Sequence, residues 1–199
     1  MLGKATIVAA TLLWTSIAIG ATPSPAIGLV DRERTKFAET VSPLPDFQLL
    51  DQNGHAFGLQ DLRGRASLVF FGFTNCPSVC PPTMQKLRQV QRTLQAEESK
   101  FVVALISVDG DRDTPEVMKR YLAPFEPGFI GLTGDPKLVR EIAAAFSAVF
   151  FKGMPTDSTG SYDVEHTSQA YLVDQAGQVR ATFYNAPADD MAAVARTLL

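Results

Sequence analysis

The sequence predicts one α/β domain built around a buried, largely parallel sheet. Three observations predict it. Two near-continuous apolar runs, ASLVFFGF (66–73) and FVVALISV (101–108), have the character of strands buried on both faces. Each is followed by a stretch with helical apolar spacing or helix-capping residues. The 199 residues suffice for one well-buried domain and are too few for two comfortable ones.

The chain opens on MLGKATIVAATLLWTSIAIGATPSPA, with a single basic residue, Lys4, before an uncharged apolar stretch from Ala5 to Ala21. Residues 1–21 are expected to be a secretory signal, cleaved after Gly20 or Ala21, or an uncleaved membrane anchor at the short limit of a span. Either way the remainder is exported, to a compartment where disulfides persist. Residues 22–41, rich in charge and proline, read as a linker, and 42–199 as the folded domain. The net charge of −3 gives no reason to expect nucleic acid or an anionic membrane surface as a partner.

Within the domain, DFQLLDQNGHAFGL suggests two short strands around Asn53-Gly54, a type I′ hairpin signal. After strand 66–73, Met84, Leu87, Val90 and Leu94 fall three and four apart, so Pro81 to about Glu98 is an amphipathic helix. Strand 101–108 follows. Thr114-Pro115 then starts a helix through about Phe125. FIGLTG is a short strand, Asp135-Pro136 caps the helix KLVREIAAAF, and AVFF is a candidate strand. KGMPTDSTGSYDVEH has the composition of a long loop. TSQAYLVD and QVRATFYN form a hairpin around Gln175-Ala176-Gly177, and 188–198 is a final helix.

The order β-α-β-α-β-β-α is that of a thioredoxin-like fold, here with an N-terminal β-hairpin and one β-α insertion near 129–146. In open α/β sheets, sites form outside the carboxyl ends of the parallel strands. Cys76 and Cys80, the only cysteines, come directly after the strand 66–73. His166 is expected immediately before an antiparallel strand that starts at the same edge. The topology therefore brings two thiols and one imidazole to one face.

A structural disulfide is the plainest reading of a cysteine pair in an exported protein. So short a loop, however, removes little chain entropy. The strand-to-helix junction also favours thiolate, which a staple does not need. His55, in a hairpin, is expected to be solvent-exposed, and the phenylalanines of VFFGF to be core. Met154, in the stretch leading to His166, is a further candidate for a copper contact. Thiolate and imidazole together suit Cu(I) and Zn(II). Structural zinc takes four protein ligands and this set offers three, while no carboxylate pair or second histidine accompanies it as at catalytic zinc. Copper is the metal expected, as Cu(I) first and Cu(II) second.

The runs GFTNCPSVCPPTMQKL, ISVDGDRDTPEVMKRYL, FIGLTGDP and DVEHTSQAYLVDQAGQV resemble the Sco/SenC proteins over about residues 42–199. The resemblance implies a thioredoxin-fold copper-binding protein that assists assembly of the binuclear copper centre of cytochrome c oxidase. It places the copper ligands on Cys76, Cys80 and His166. It further implies, as partners, the oxidase copper-site subunit, a thioredoxin-like reductant and an upstream copper donor. The expected location is the periplasm or the outer face of the inner membrane. Asn75 and Ser78 stand where the family often has His and Asp, a departure that bears on copper affinity, thiol reactivity and partner choice. A carrier rather than an enzyme is expected. The rival is an exported thiol–disulfide oxidoreductase or redox sensor in which Cys76 and Cys80 form a redox disulfide and no metal takes part. Against it, thioredoxin-type enzymes use CxxC and a proline where this chain has CxxxC and His166. A peroxidase lacks support from Thr74-Asn75-Cys76, and a purely structural interaction domain leaves the convergence unexplained.

Overall fold

The computed structural model describes residues 30–39, 43–125, 127–154 and 162–199, so the segment 1–21 lies outside the described residues. Its first elements are the strands β1 (Thr35–Phe37), β2 (Gln48–Asp51) and β3 (Ala56–Gly58) and the short helix α1 (Leu59–Leu62). Strand β4 (Ala66–Gly72) leads to helix α2 (Cys80–Thr93) and, after a 3-10 turn, to strand β5 (Phe101–Ser107). Helix α3 (Pro115–Leu122), strand β6 (Phe129–Thr133) and helix α4 (Pro136–Ala145) follow. Strands β7 (Phe150–Lys152) and β8 (Val164–His166) precede the hairpin β9 (Ala170–Val173) and β10 (Val179–Phe183), and helix α5 (Ala188–Arg196) comes last.

Eight strands form one sheet in the order β1-β10-β9-β4-β5-β6-β2-β3. Strands β4, β5 and β6 run parallel, and β9 lies antiparallel to β4. Every residue of β4 and β5 is buried, which is why both sequences are continuously apolar. The α2 positions Met84, Leu87 and Val90, with Leu94 at its end, are wholly buried, and α2 packs against α5. Thr114 Oγ1 accepts from the Val117 amide at 3.4 Å, and Asp135 accepts from the Lys137 and Leu138 amides, so both expected caps form. The thioredoxin-like order, the N-terminal hairpin and the β-α insertion are all present. Among the described residues, no helix is long and apolar enough to cross a membrane.

The structure corrects four local expectations. Thr35–Phe37, inside the stretch expected to be linker, is the edge strand beside β10, with Phe37 opposite Ala181. A partner so distant in sequence leaves no local signature in a charged segment. At the hairpin, Gly54 has φ +80° but Asn53 is not left-handed, so the turn is not type I′. Instead the Asp51 carboxylate accepts from the amides of Asn53 and His55 and organises a wider loop. Helix α2 ends at Thr93, and its expected extension is 3-10 over Gln95–Lys100. Finally, His166 does not directly precede β9. It ends β8, which pairs with β7 in a separate two-stranded ribbon with His166 opposite Phe150.

Candidate metal centre

Strand β4 ends at Gly72, and the chain turns so that the Cys76 amide donates to the Phe73 carbonyl. Cys80 is the first residue of α2. The N-cap residue Val79 supplies no side-chain acceptor, and Pro81 follows within the first turn. The Cys80 amide donates instead to Cys76 Sγ at 3.4 Å, so the first thiol caps the helix that carries the second. Gly72 makes the packing possible. A Cβ there would stand 2.8 Å from Cys80 Sγ and 2.8 Å from the Phe70 ring.

His166 enters from the β7–β8 ribbon. Its Nε2 lies 3.3 Å from Cys80 Sγ, and its Nδ1 lies 3.4 Å from the Val164 carbonyl. A proton on Nδ1 donates to that carbonyl, which leaves the Nε2 lone pair facing the thiol. The Phe73 ring meets the imidazole edge to face at 5.4 Å and fixes its plane. The donor atoms of Cys76, Cys80 and His166 all lie within 4.8 Å of one another.

The two thiols differ in environment. Burial opposes ionisation of Cys76, but the amides of Ser78, Cys80 and Val79 outweigh it and bring its pKa below the ordinary thiol value. Burial pushes the Cys80 pKa far up, and the neighbouring Cys76 sulfur adds to the rise. Burial also lowers the His166 pKa, against a smaller opposing effect of the Val164 carbonyl. Cys76 is therefore the more readily ionised of the two thiols, while Cys80 and His166 rest as a neutral thiol beside a neutral imidazole. Cys80 is fully buried, whereas Cys76 and His166 line an open cleft of about 360 Å3.

The DGDRD turn after β5 holds this arrangement from beneath, a role the sequence does not advertise. Asp113, fully buried, accepts from the Thr74 amide at 3.0 Å, Thr74 Oγ1 at 2.6 Å and Ser107 Oγ at 2.6 Å. Asp109 accepts from the Tyr162 hydroxyl at 2.6 Å and pairs with Arg112 Nε. Aspartates in a turn resemble ordinary caps, so the signal available was that Asp111 and Asp113 flank Arg112 just past a buried strand, in a run that carries the family resemblance.

Of the other residues singled out, His55 is 79 % exposed and pairs with Asp51, remote from the cluster. Met154 is exposed and is not among the residues that line the cleft of Cys76 and His166. Asn75 and Ser78 are exposed at the rim, and of the two only Ser78 touches the site, through its backbone amide. Phe70, Phe71 and Phe73 are core, as expected, with Phe73 also the wall behind His166.

The donor set fits a soft, three-coordinate metal. With sulfur bonds of about 2.3 Å and nitrogen bonds of about 2.0 Å, a trigonal site separates its sulfurs by about 4.0 Å and sulfur from nitrogen by about 3.7 Å. The Cys80–His166 separation of 3.3 Å lies close to that sulfur–nitrogen value, and no pair in the set exceeds 4.8 Å. The two cysteines are free thiols, so both are available as donors.

A family model described as SCO1/SenC matches residues 35–199. The SCO2-like protein of Rickettsia felis is 37 % identical over 139 residues, covering 70 % of this chain and 68 % of its own. The structure of Bradyrhizobium japonicum ScoI with copper bound superimposes with a TM-score of 0.73 at 34 % identity, covering 79 % of this chain and all of that one. BsSco, a member of the Sco family of cytochrome c oxidase assembly proteins with a disulfide switch, superimposes with a TM-score of 0.66 at 27 % identity, over 82 % of this chain and 97 % of its own. The matched stretch begins at the edge strand β1 and runs through the cysteine turn, the DGDRD turn and the histidine ribbon to the chain's end: this protein belongs to the SCO1/SenC family.

Proposed function

We propose that this chain is a copper chaperone that holds Cu(I) between Cys76, Cys80 and His166. In this reading it delivers the ion to the binuclear copper site of cytochrome c oxidase, or keeps the thiols of that site reduced for loading. The observation that carries the reading is the convergence of two thiols and an imidazole within 4.8 Å at the carboxyl edge of the sheet. A relative with copper bound and another among oxidase assembly proteins support it.

The residues divide the work. Cys76, with its lowered pKa and its place on the cleft, offers the first thiolate to an incoming ion. Cys80 releases its proton only when the metal compensates the buried charge, which ties binding to proton release. His166 closes the third position with a lone pair already aimed at the thiols. Two-sulfur, one-nitrogen coordination leaves one side of the ion open toward the cleft, where an acceptor's ligand can enter before these ligands leave. The domain works outside the cytoplasm in this account, periplasmic or anchored by residues 1–21. An upstream donor loads it and a thioredoxin-like partner keeps its cysteines reduced.

A second reading, a thiol–disulfide oxidoreductase or redox sensor, draws on one feature: two adjacent free thiols, Cys76 on the cleft and the more easily ionised, Cys80 buried and the less so, have the asymmetry of an attacking and a resolving thiol. Deletion separates the two. The chaperone account expects loss of oxidase activity, partly restored by added copper, and insulin reduction far slower than thioredoxin's. Normal oxidase with accumulated misoxidised exported proteins favours the redox account.

A further inference from the structure

We propose that Asp109, Arg112 and Tyr162 are positioning residues, a clamp that fixes His166 against the thiols; the proposal rests on the metal-site reading above. The β7–β8 ribbon that carries His166 has two three-residue strands and belongs to a sheet of its own. A two-stranded ribbon is marginal by itself, so its place must be set by contacts outside its own ladder.

One set of those contacts converges on Tyr162, four residues before His166; a second is Arg140, whose Nη1 donates to the Phe150 carbonyl at 3.2 Å and whose guanidinium lies over the Phe150 ring. The Tyr162 hydroxyl donates to Asp109 Oδ1 at 2.6 Å, and its carbonyl accepts from Arg112 Nη1 at 3.1 Å. The Arg112 guanidinium lies over the Tyr162 ring at 3.8 Å from its centroid, and Arg112 Nε pairs with the nearly buried Asp109. The same guanidinium lies 5.9 Å from the centroid of Phe73, the ring that backs His166. The exposed Lys152–Asp111 pair also sits on this face, but water screens it and it holds little.

The other end of the turn grips the cysteine loop. Asp113 accepts from both the amide and the hydroxyl of Thr74, two residues before Cys76. Within the turn itself, the amides of Arg112 and Asp113 both donate to the Asp109 carbonyl. One rigid turn is thus bonded to the thiol loop and to the histidine ribbon, and it sets the distance between them. Planar Arg112 is suited to this, because it engages a carboxylate, a carbonyl and a ring face at once.

The test uses Tyr162→Phe, which keeps the ring and loses the hydroxyl, and Arg112→Gln, which releases the Tyr162 carbonyl and ring from the turn; Arg112→Lys keeps the charge without the fork. In the reduced, metal-free protein, amide exchange at 164–166 is expected to accelerate in Tyr162→Phe and Arg112→Gln while the β5 amides keep their protection. Cu(I) affinity is then measured in the parent and in His166→Ala. Arg112→Gln is expected to weaken binding about 10–100-fold in the parent, as loss of an outer-shell partner does. In His166→Ala it should change affinity by no more than about twofold. X-ray absorption of the Arg112→Gln copper form should lose nitrogen scattering, and Arg112→Lys should restore part of it. Unchanged exchange at 164–166, or equal weakening in both backgrounds, overturns the clamp. If the parent bound no copper, the metal reading would fall while the exchange comparison still decided the clamp.

Discussion

Nε2 of His166 lies 3.3 Å from Sγ of Cys80, although 86 residues separate them in the chain. Only folding brings them together, so the third donor exists only in the folded domain. Removing it should leave two sulfurs and a weaker site. His166→Ala is expected to lower Cu(I) affinity by at least the roughly 10–100-fold that an outer-shell loss costs. Cys76→Ser or Cys80→Ser should abolish stable binding, because a hydroxyl is a hard donor. Competition against a Cu(I) chelator checks all three, with His55→Ala unchanged.

The unequal thiols predict unequal chemistry. Cys76 has a lowered pKa, so its thiolate persists to lower pH than an ordinary cysteine's. Alkylation of Cys76 should rise as pH climbs through that lowered pKa and then level off. Cys80, buried and with its pKa raised, should stay unlabelled across the same range until the protein unfolds. Mass spectrometry of pulse-labelled reduced protein measures both rates; equal rates would contradict the assignment.

Gly72 should resist even the smallest side chain. A methyl group there would sit 2.8 Å from Cys80 Sγ, so either the sulfur or the strand must move. Gly72→Ala is expected to cost about 1–3 kcal/mol, as overpacking does. It should also weaken Cu(I) binding by displacing a donor. Urea unfolding and the chelator titration report the two effects separately.

Asp113→Ala removes the acceptor for Thr74 and Ser107 inside the core and leaves their hydrogens without it. The expected loss is roughly 3 kcal/mol, the range for breaking a buried, charge-assisted network. Asp111→Ala, at an exposed position of the same turn, should change stability by no more than about 0.5 kcal/mol. Denaturant titration of the two variants is the comparison.

Much of this was legible in the sequence where pattern and packing coincide. The spacing of Met84, Leu87, Val90 and Leu94 has one cause, a helix face against the sheet, and all four are wholly buried. The runs 66–73 and 101–108 are apolar because both faces of β4 and β5 are covered. The convergence of Cys76, Cys80 and His166 was legible because β4 ends and β9 begins at one edge of the sheet, although His166 itself sits on the β7–β8 ribbon and not at the start of β9. The rest depends on partners distant in the chain. Thr35–Phe37 becomes a strand only beside β10. Val164–His166 is too short for a period to show, and its partner strand, Phe150–Lys152, is not its neighbour in sequence. The roles of Asp109, Arg112 and Asp113 lie in what they touch, Tyr162 and Thr74, and no spacing rule encodes that.

The central claim, that Cys76 and Cys80 are themselves the copper donors, makes loading depend on their redox state. A sulfur committed to a disulfide is no longer a thiolate and cannot serve as this ligand. The direct measurement is a Cu(I) titration of fully reduced and fully oxidised protein against a competing chelator, with thiols counted in each. Reduced protein should take up one Cu(I) per chain and oxidised protein none, and bound Cu(I) should slow disulfide formation. Equal Cu(I) affinity in the two forms would contradict the account.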